Sequence, residues 1–355
     1  MQVLDYLYEN TIPSIEFKER KLKITKKNTI IIGPPKCGKT YLIYDYLSNL
    51  KSNEYLYIDL LDIRYQLKNI ELYINKFINN NGIKNLVIEN YNDKFILPNC
   101  DNIILSSINN INIDKFNTIY LSALDFEEHI SHDTKNQNIK NSFNTFFKYG
   151  NLPELINIQE NNKIKRTQEI LKLFTKNDTN LSILMILIQN IDEKKSLHEL
   201  YNKLKQNIKI SKDKFYALSQ EYSNNNIIFF INKYSQEKAA KKIYTYNHSL
   251  ISSISYHKRF KQEFTNMVFL ELKNRFNEIY YLDNIDFYIP NKRYLILCIP
   301  FLNDNILNKI TKKILNIIIE YDIKNVSIIT ISNSKILYLQ NREIEIIPFY
   351  EWSLS

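Results

Sequence analysis

Gly33-Pro34-Pro35-Lys36-Cys37-Gly38-Lys39-Thr40 fits the spacing G-x-x-x-x-G-K-[ST], and its flanks give that spacing a physical setting. Before it, Thr29-Ile30-Ile31-Ile32 is a short apolar run of the kind that forms a buried parallel strand. After it, Tyr41-Leu42-Ile43-Tyr44-Asp45-Tyr46-Leu47 has helical periodicity, so the order is strand, loop, helix. Gly33 and Gly38 remove side chains where the backbone must curl around a phosphate. The loop amides and the start of the helix then present partial positive charge to that anion. In this setting Lys39 is expected to reach the β- and γ-phosphates, and the Thr40 hydroxyl to ligate Mg²⁺. The expected binding set runs from Gly33, Pro34, Pro35, Lys36, Cys37, Gly38, Lys39 and Thr40 to Tyr41, with ATP and Mg²⁺ as ligands. The chain holds four glycines, and two of them fall at the required spacing, which argues against a chance turn.

The rest of the chain bounds the setting. At 355 residues and 44% hydrophobic content there is enough material for two or three buried cores. A net charge of +9 permits a nucleic-acid partner, but the surplus is lysine in an Asn-, Lys- and Ile-rich chain and identifies none by itself. Cys37, Cys100 and Cys298 are scattered without metal-ligand spacing, which fits a reducing compartment better than a disulfide framework. The N-terminus lacks an apolar signal core, and no apolar run approaches the roughly 18 to 20 residues that cross a bilayer. A cytoplasmic protein is the expectation.

A phosphate loop needs a second strand that ends in a carboxylate near the metal. Tyr55-Leu56-Tyr57-Ile58-Asp59 and Asn85-Leu86-Val87-Ile88-Glu89-Asn90 are the candidates. Glu89 is preferred because it closes a continuous apolar run. In one register Glu89 holds the metal and Asn90 stands where a catalytic base belongs; Asn can position a water but cannot take its proton. In the other register Glu89 is the base and Ile88 replaces the metal acid. Either way one carboxylate is missing, so at most weak turnover is expected. Asn102-Ile103-Ile104-Leu105-Ser106 and Asn117-Thr118-Ile119-Tyr120-Leu121 read as two further strands. Ser106 or Ser107 is either a γ-phosphate sensor or part of a strand-end turn. Strands alternating with helical stretches predict a parallel sheet.

Two later stretches, Leu124-Asp125-Phe126-Glu127-Glu128 and Tyr149-Gly150-Asn151-Leu152-Pro153-Glu154, follow the loop at a telling spacing. With the loop they make the chain resemble the AAA+-type ATPases of bacteria and archaea whose C-terminal domain is related to PD-(D/E)xK nucleases. The resemblance implies an α/β fold: a P-loop NTPase parallel sheet over 1–158, a helical winged-helix unit over 159–254, and a small α/β nuclease-like domain over 255–355. Where the family carries an arginine ahead of its Leu-Ser-Phe-x-Glu signature, this chain has Lys115.

The residues of the middle stretch agree with that layout. Ser196 and Glu199 make a capping box, Ser211 precedes a helix over 212–222, and strands at 227–231 and 243–246 flank a basic segment. In a winged helix, Lys212 and Lys214 would face a DNA groove while Lys233, Lys241 and Lys242 meet phosphates. Further on, 259–276 reads as an amphipathic helix, followed by strands at 278–282, 286–289, 294–299 and 326–331 and a helix around 306–321. Metal-dependent cleavage needs clustered carboxylates and a lysine. Glu271 and Asp286 match two of the acids, but Tyr294-Leu295-Ile296-Leu297-Cys298-Ile299 offers neither carboxylate nor lysine. No nuclease activity is expected, and both acids are expected to be surface or relic residues.

The expected function is a slow or non-hydrolysing nucleotide switch. A DNA-binding regulator with structural ATP, and a competent ATPase using Glu89 with help from a second copy of the chain, are the alternatives.

Overall fold

β1 (Thr29–Ile32) is buried along its whole length, as its unbroken apolar run requires. In the computed structural model, which describes residues 2–10, 12, 13, 15, 18–135, 138–339 and 342–355, β1 lies inside a five-stranded sheet. Its companions are β2 (Tyr55–Asp59), β3 (Asn85–Glu89), β4 (Asn102–Ser107) and β5 (Asn117–Tyr120), in the order β2-β3-β4-β1-β5. Every pairing is parallel, so the carboxyl ends of β1, β3 and β4 share one edge. The chain leaves β1 for the far strand β2, and β1 itself sits between β4 and β5. Such a change of direction is where ligands bind in open parallel sheets. Ile30, Ile32, Leu56, Ile58, Leu86, Ile88 and Leu105 pack with Ile70, Ile74 and Phe77 of the Leu67–Asn81 helix into this unit's core. The unit comprises residues up to Ala123.

The second compact unit runs from Leu124 onward, apart from the turn at 224–226. It contains helices at Leu197–Lys205 and Lys212–Asn224, then a hairpin of β6 (Ile228–Ile231) and β7 (Lys242–Thr245). The Ser196 capping box is present. A six-stranded mixed sheet follows: β8 (Tyr280–Leu282), β9 (Ile285–Ile289), β10 (Tyr294–Cys298), β11 (Asn325–Thr330), β12 (Lys335–Leu339) and β13 (Arg342–Pro348). Its order is β12-β13-β11-β10-β9-β8, with β10, β11 and β13 parallel. The last two strands were not read from the sequence; Lys335–Leu339 lacks a clean alternation, whereas β13 does alternate, with Ile344 and Ile346 buried.

Both family-like stretches serve packing here. Asp125 and Glu128 form a capping box on the Phe126–His132 helix, and Phe126 is buried against Phe143, Phe146 and Phe349. Leu124 N donates to Asn151 O at 3.0 Å, and Asn151 Nδ2 donates to Tyr246 O at 3.2 Å.

The helix Phe260–Arg275 departs from its amphipathic reading: Glu263, Thr265, Asn266 and Glu271 are buried together with Phe264, Val268 and Leu272. Its polar residues are matched inside the fold, where Asn266 takes the Thr245 N–H at 2.7 Å and donates to Thr245 O at 3.0 Å. Two expectations are corrected for the same reason. Glu271 is no surface relic: its Oε1 accepts from Phe126 N at 2.8 Å. Asp286 is buried as well and accepts from Cys298 N at 2.8 Å.

Glu263 is the costly member of this helix. Its side chain is buried, and Oε1 has no hydrogen-bond partner among the described residues. Burial pushes its carboxyl up to about 7, against smaller opposing effects of the Ser252 hydroxyl and Lys258. A carboxyl raised by folding binds its proton more tightly in the native chain, so its contribution is present below about pH 4.5 and is lost as pH rises to about 7. Glu263→Gln should therefore leave stability at pH 4.5 nearly unchanged and raise it at pH 8 by about 2–3 kcal/mol, read from urea midpoints at the two pH values.

Candidate nucleotide-binding site

The loop at the end of β1 is shaped by close backbone approach on both sides. Gly33 N donates to Ser107 O at 3.2 Å, and Leu121 N donates to Ile32 O at 2.7 Å. A Cβ at Gly33 would collide with the Leu121 carbonyl and stand 2.9 Å from Cys37 Sγ. This glycine is thus required by the convergence of β4 and β5 on β1, before any ligand is considered. Gly38, at φ 106°, adopts the left-handed region that glycine enters without strain and caps the Lys39–Ser48 helix. No acidic residue of the helix itself sits in its first turn.

Lys39 is buried with its Nζ donating to Gly33 O at 2.8 Å and Pro34 O at 3.0 Å. The ammonium is held inside the loop's own curl. Cys37 is fully buried and packs the underside of the loop, Pro35 and Lys36 carry it round with Lys36 at φ 63°, and Tyr41 projects to solvent from the first helical turn.

Thr40 and Glu89, far apart in sequence, meet here. The Thr40 hydroxyl hydrogen-bonds Glu89 Oε1, and the Tyr57 hydroxyl donates to Oε2. Burial pushes the Glu89 carboxyl above its ordinary value; the Thr40 and Tyr57 hydroxyls pull it back, and Asp59 adds to the rise. Asp59 lies directly across from Glu89 in the β2–β3 register. A carboxylate and a hydroxyl side by side are hard oxygen donors of the type Mg²⁺ prefers.

Asn90, at φ 56°, turns the chain away from β3. Its backbone N–H donates to Ser106 Oγ at 3.2 Å and its Nδ2 to Asp59 Oδ1 at 2.7 Å. Ser107 Oγ donates to Tyr91 O at 3.1 Å. Both serines belong to β4 itself rather than to a turn at its end, and each hydrogen-bonds the chain just after β3.

The sequence reading missed Tyr57 and Arg20 and named Asp59 only as the lesser metal-acid candidate. Tyr57 was hidden because strand register decides what lies beside Glu89. Arg20, ahead of β1, donates from Nη1 to Cys37 O at 2.8 Å and from Nη2 to Ser122 O at 3.0 Å, bracing the loop against the end of β5. A lone arginine upstream of a strand carries no spacing signal that could have announced this. Lys115, at the family's arginine position, is exposed on the connection before β5.

Among the lysines expected to meet DNA, Lys212, Lys214 and Lys241 are exposed. Lys233 pairs with Asp283 at 2.6 Å. Lys242 contradicts the expectation: it is buried, 2.6 Å from Asp192 and 3.6 Å from Asp286. All of β7 is buried, and the two acids neutralise the Lys242 ammonium there.

No known family profile matches the chain. An uncharacterized protein of Methanocaldococcus jannaschii is 26% identical to it over 94% of this chain and 89% of its own length. A Walker-type ATPase of Pyrococcus abyssi is similar at a TM-score of 0.42 and 12% identity, over 63% of this chain and 90% of that one. Among the described residues, no helix is long and apolar enough to cross a membrane. The chain's own geometry is a mixed α/β fold whose five-stranded parallel sheet carries a phosphate-type loop at the end of β1, an arrangement consistent with a P-loop NTPase core.

Proposed function

We propose that the chain binds ATP with Mg²⁺ at Gly33–Thr40 and acts as a slow or non-hydrolysing nucleotide switch. The observation that carries this reading is the meeting of Thr40 with the buried Glu89 beside the loop that holds Lys39. In this reading Lys39 and the loop amides hold phosphate, and Thr40 and Glu89 hold the metal. Bound Mg²⁺ supplies charge neutralisation between phosphate oxygens. Glu89 is read on the metal side because its Oε1 already meets the hydroxyl of Thr40, the other expected metal ligand, and this register leaves Asn90 in the place of the base.

The second unit is read as a winged helix followed by a nuclease-like domain without cleavage activity. The helix–helix–hairpin order over 197–245 supports the first part. The bare β10 strand supports the second, since Tyr294–Cys298 carries neither carboxylate nor lysine, while Glu271 and Asp286 serve as acceptors for Phe126 N and Cys298 N. A γ-phosphate can order neighbouring segments without rapid turnover. Any DNA contact in this reading falls to Lys212, Lys214 and Lys241, which are exposed; the alternative is that they are simply solvated.

Binding of a fluorescent ATP analogue tests the core of the proposal. Affinity should be higher with Mg²⁺ than without it in the wild type, and Glu89→Gln should weaken it about tenfold or more in Mg²⁺ while changing the weaker metal-free binding little. Equal affinity with and without Mg²⁺ would remove Thr40 and Glu89 from the site.

A further inference from the structure

Asp59 entered the sequence reading only as a rejected metal ligand, yet it is held in place more firmly than that status explains. It ends β2 directly opposite Glu89, its Oδ1 accepts the Leu61 N–H at 3.0 Å, and its backbone carbonyl accepts the Tyr65 hydroxyl. The same Oδ1 accepts from Asn90 Nδ2 at 2.7 Å. A carboxylate oxygen can only accept, so this contact fixes which way the Asn90 amide faces. Its nitrogen is turned to Asp59, and its oxygen is turned away as an acceptor at the carboxyl end of β3. The backbone of Asn90 is pinned separately, through Ser106 Oγ.

We infer that Asp59 is a positioning residue that sets Asn90 to orient the water attacking the γ-phosphate. The inference rests on the nucleotide-binding reading above and names how that site treats its substrate. Asn90 Oδ1 takes a hydrogen bond from the water, aligning its lone pair with the γ-phosphorus. As the water oxygen bonds to phosphorus, the bond to the bridging oxygen of ADP breaks. The water's proton passes to a phosphoryl oxygen, because an amide cannot accept it. Orientation without a base explains how the site can be ordered and still slow. Glu89 cannot share this task while both its oxygens face Thr40 and Tyr57.

The test compares wild type, Asp59→Asn and the exchange Asp59→Asn/Asn90→Asp. Affinity for MgADP with aluminium fluoride, which mimics the transferring phosphoryl group and its in-line ligands, is measured beside affinity for MgADP alone. Single-turnover hydrolysis is measured in parallel. Asparagine at 59 can present either end of its amide, so Asp59→Asn should bind MgADP normally but lose about ten- to a hundredfold in aluminium fluoride affinity and in turnover. The exchange restores the hydrogen bond with a carboxylate nearer the water, and its turnover should exceed that of the wild type. Normal MgADP binding with unchanged aluminium fluoride affinity and turnover in Asp59→Asn would overturn the inference alone, as would a wild type that binds MgADP but does not respond to aluminium fluoride. A wild type that binds no nucleotide would overturn the underlying reading instead.

Discussion

Lys242→Ala is expected to destabilise the second unit by about 3–5 kcal/mol, measured as a fall in the urea midpoint of its transition in the full chain. The lysine stands between Asp192, at 2.6 Å, and Asp286, at 3.6 Å, with the Tyr244 hydroxyl also on Asp192 at 2.8 Å. Burial alone would lower its ammonium; the Asp286 and Asp192 carboxylates outweigh that and hold it above its ordinary value. Removing the cation leaves two acids facing each other away from water. Lys261, 3.5 Å from Asp286 and half exposed, pairs with that acid and acts on Asp192 only as a weaker, more distant charge. Asp192→Asn/Lys242→Met/Asp286→Asn should recover most of the loss, because it removes the charges together. Equal destabilisation by the triple variant would show that packing, rather than the uncompensated charge, is what Lys242 supplies.

Lys39→Ala should weaken MgATP binding by about 100-fold or more. Two charge-assisted contacts to phosphate contribute about 1.5–3 kcal/mol each, and alanine keeps neither. Thermal unfolding reads this directly, since ATP at about 100 times its Kd stabilises the wild type by about 2.7 kcal/mol and should stabilise the variant by almost nothing. The unliganded variant must be compared too, because Lys39 also ties together the Gly33 and Pro34 carbonyls. Undiminished binding in Lys39→Ala would place any nucleotide site elsewhere.

The loop was legible because its conformation is local. Gly33, Gly38, Lys39 and Thr40 lie within a single strand–loop–helix, which a short spacing can specify. The parallel sheet was legible for a related reason: strands buried on both faces leave unbroken apolar runs such as Ile30-Ile31-Ile32 and Leu86-Val87-Ile88. The pairing of Thr40 with Glu89 could be ranked but not decided, since two strands ended in an acid.

Burial of charge was the systematic failure. Lys242, Glu271 and Asp286 read as surface residues by type, and Glu263 drew no notice at all. A charged side chain goes inside only when its partners arrive from elsewhere in the chain. Asp192 lies 50 residues from Lys242, and Phe126 lies 145 residues from Glu271. Arg20 reaches Ser122 across 102 residues and was missed on the same account.

What the sequence determined by itself is the loop and the strand that launches it, because backbone conformation and hydrophobic period act over a few neighbouring residues. The tertiary structure decided which acid meets Thr40, which way Asn90 turns its amide, and that Lys242 is an interior cation. Each depends on strand register and on distant side chains meeting away from water, and neither quantity is written in any short stretch of the chain.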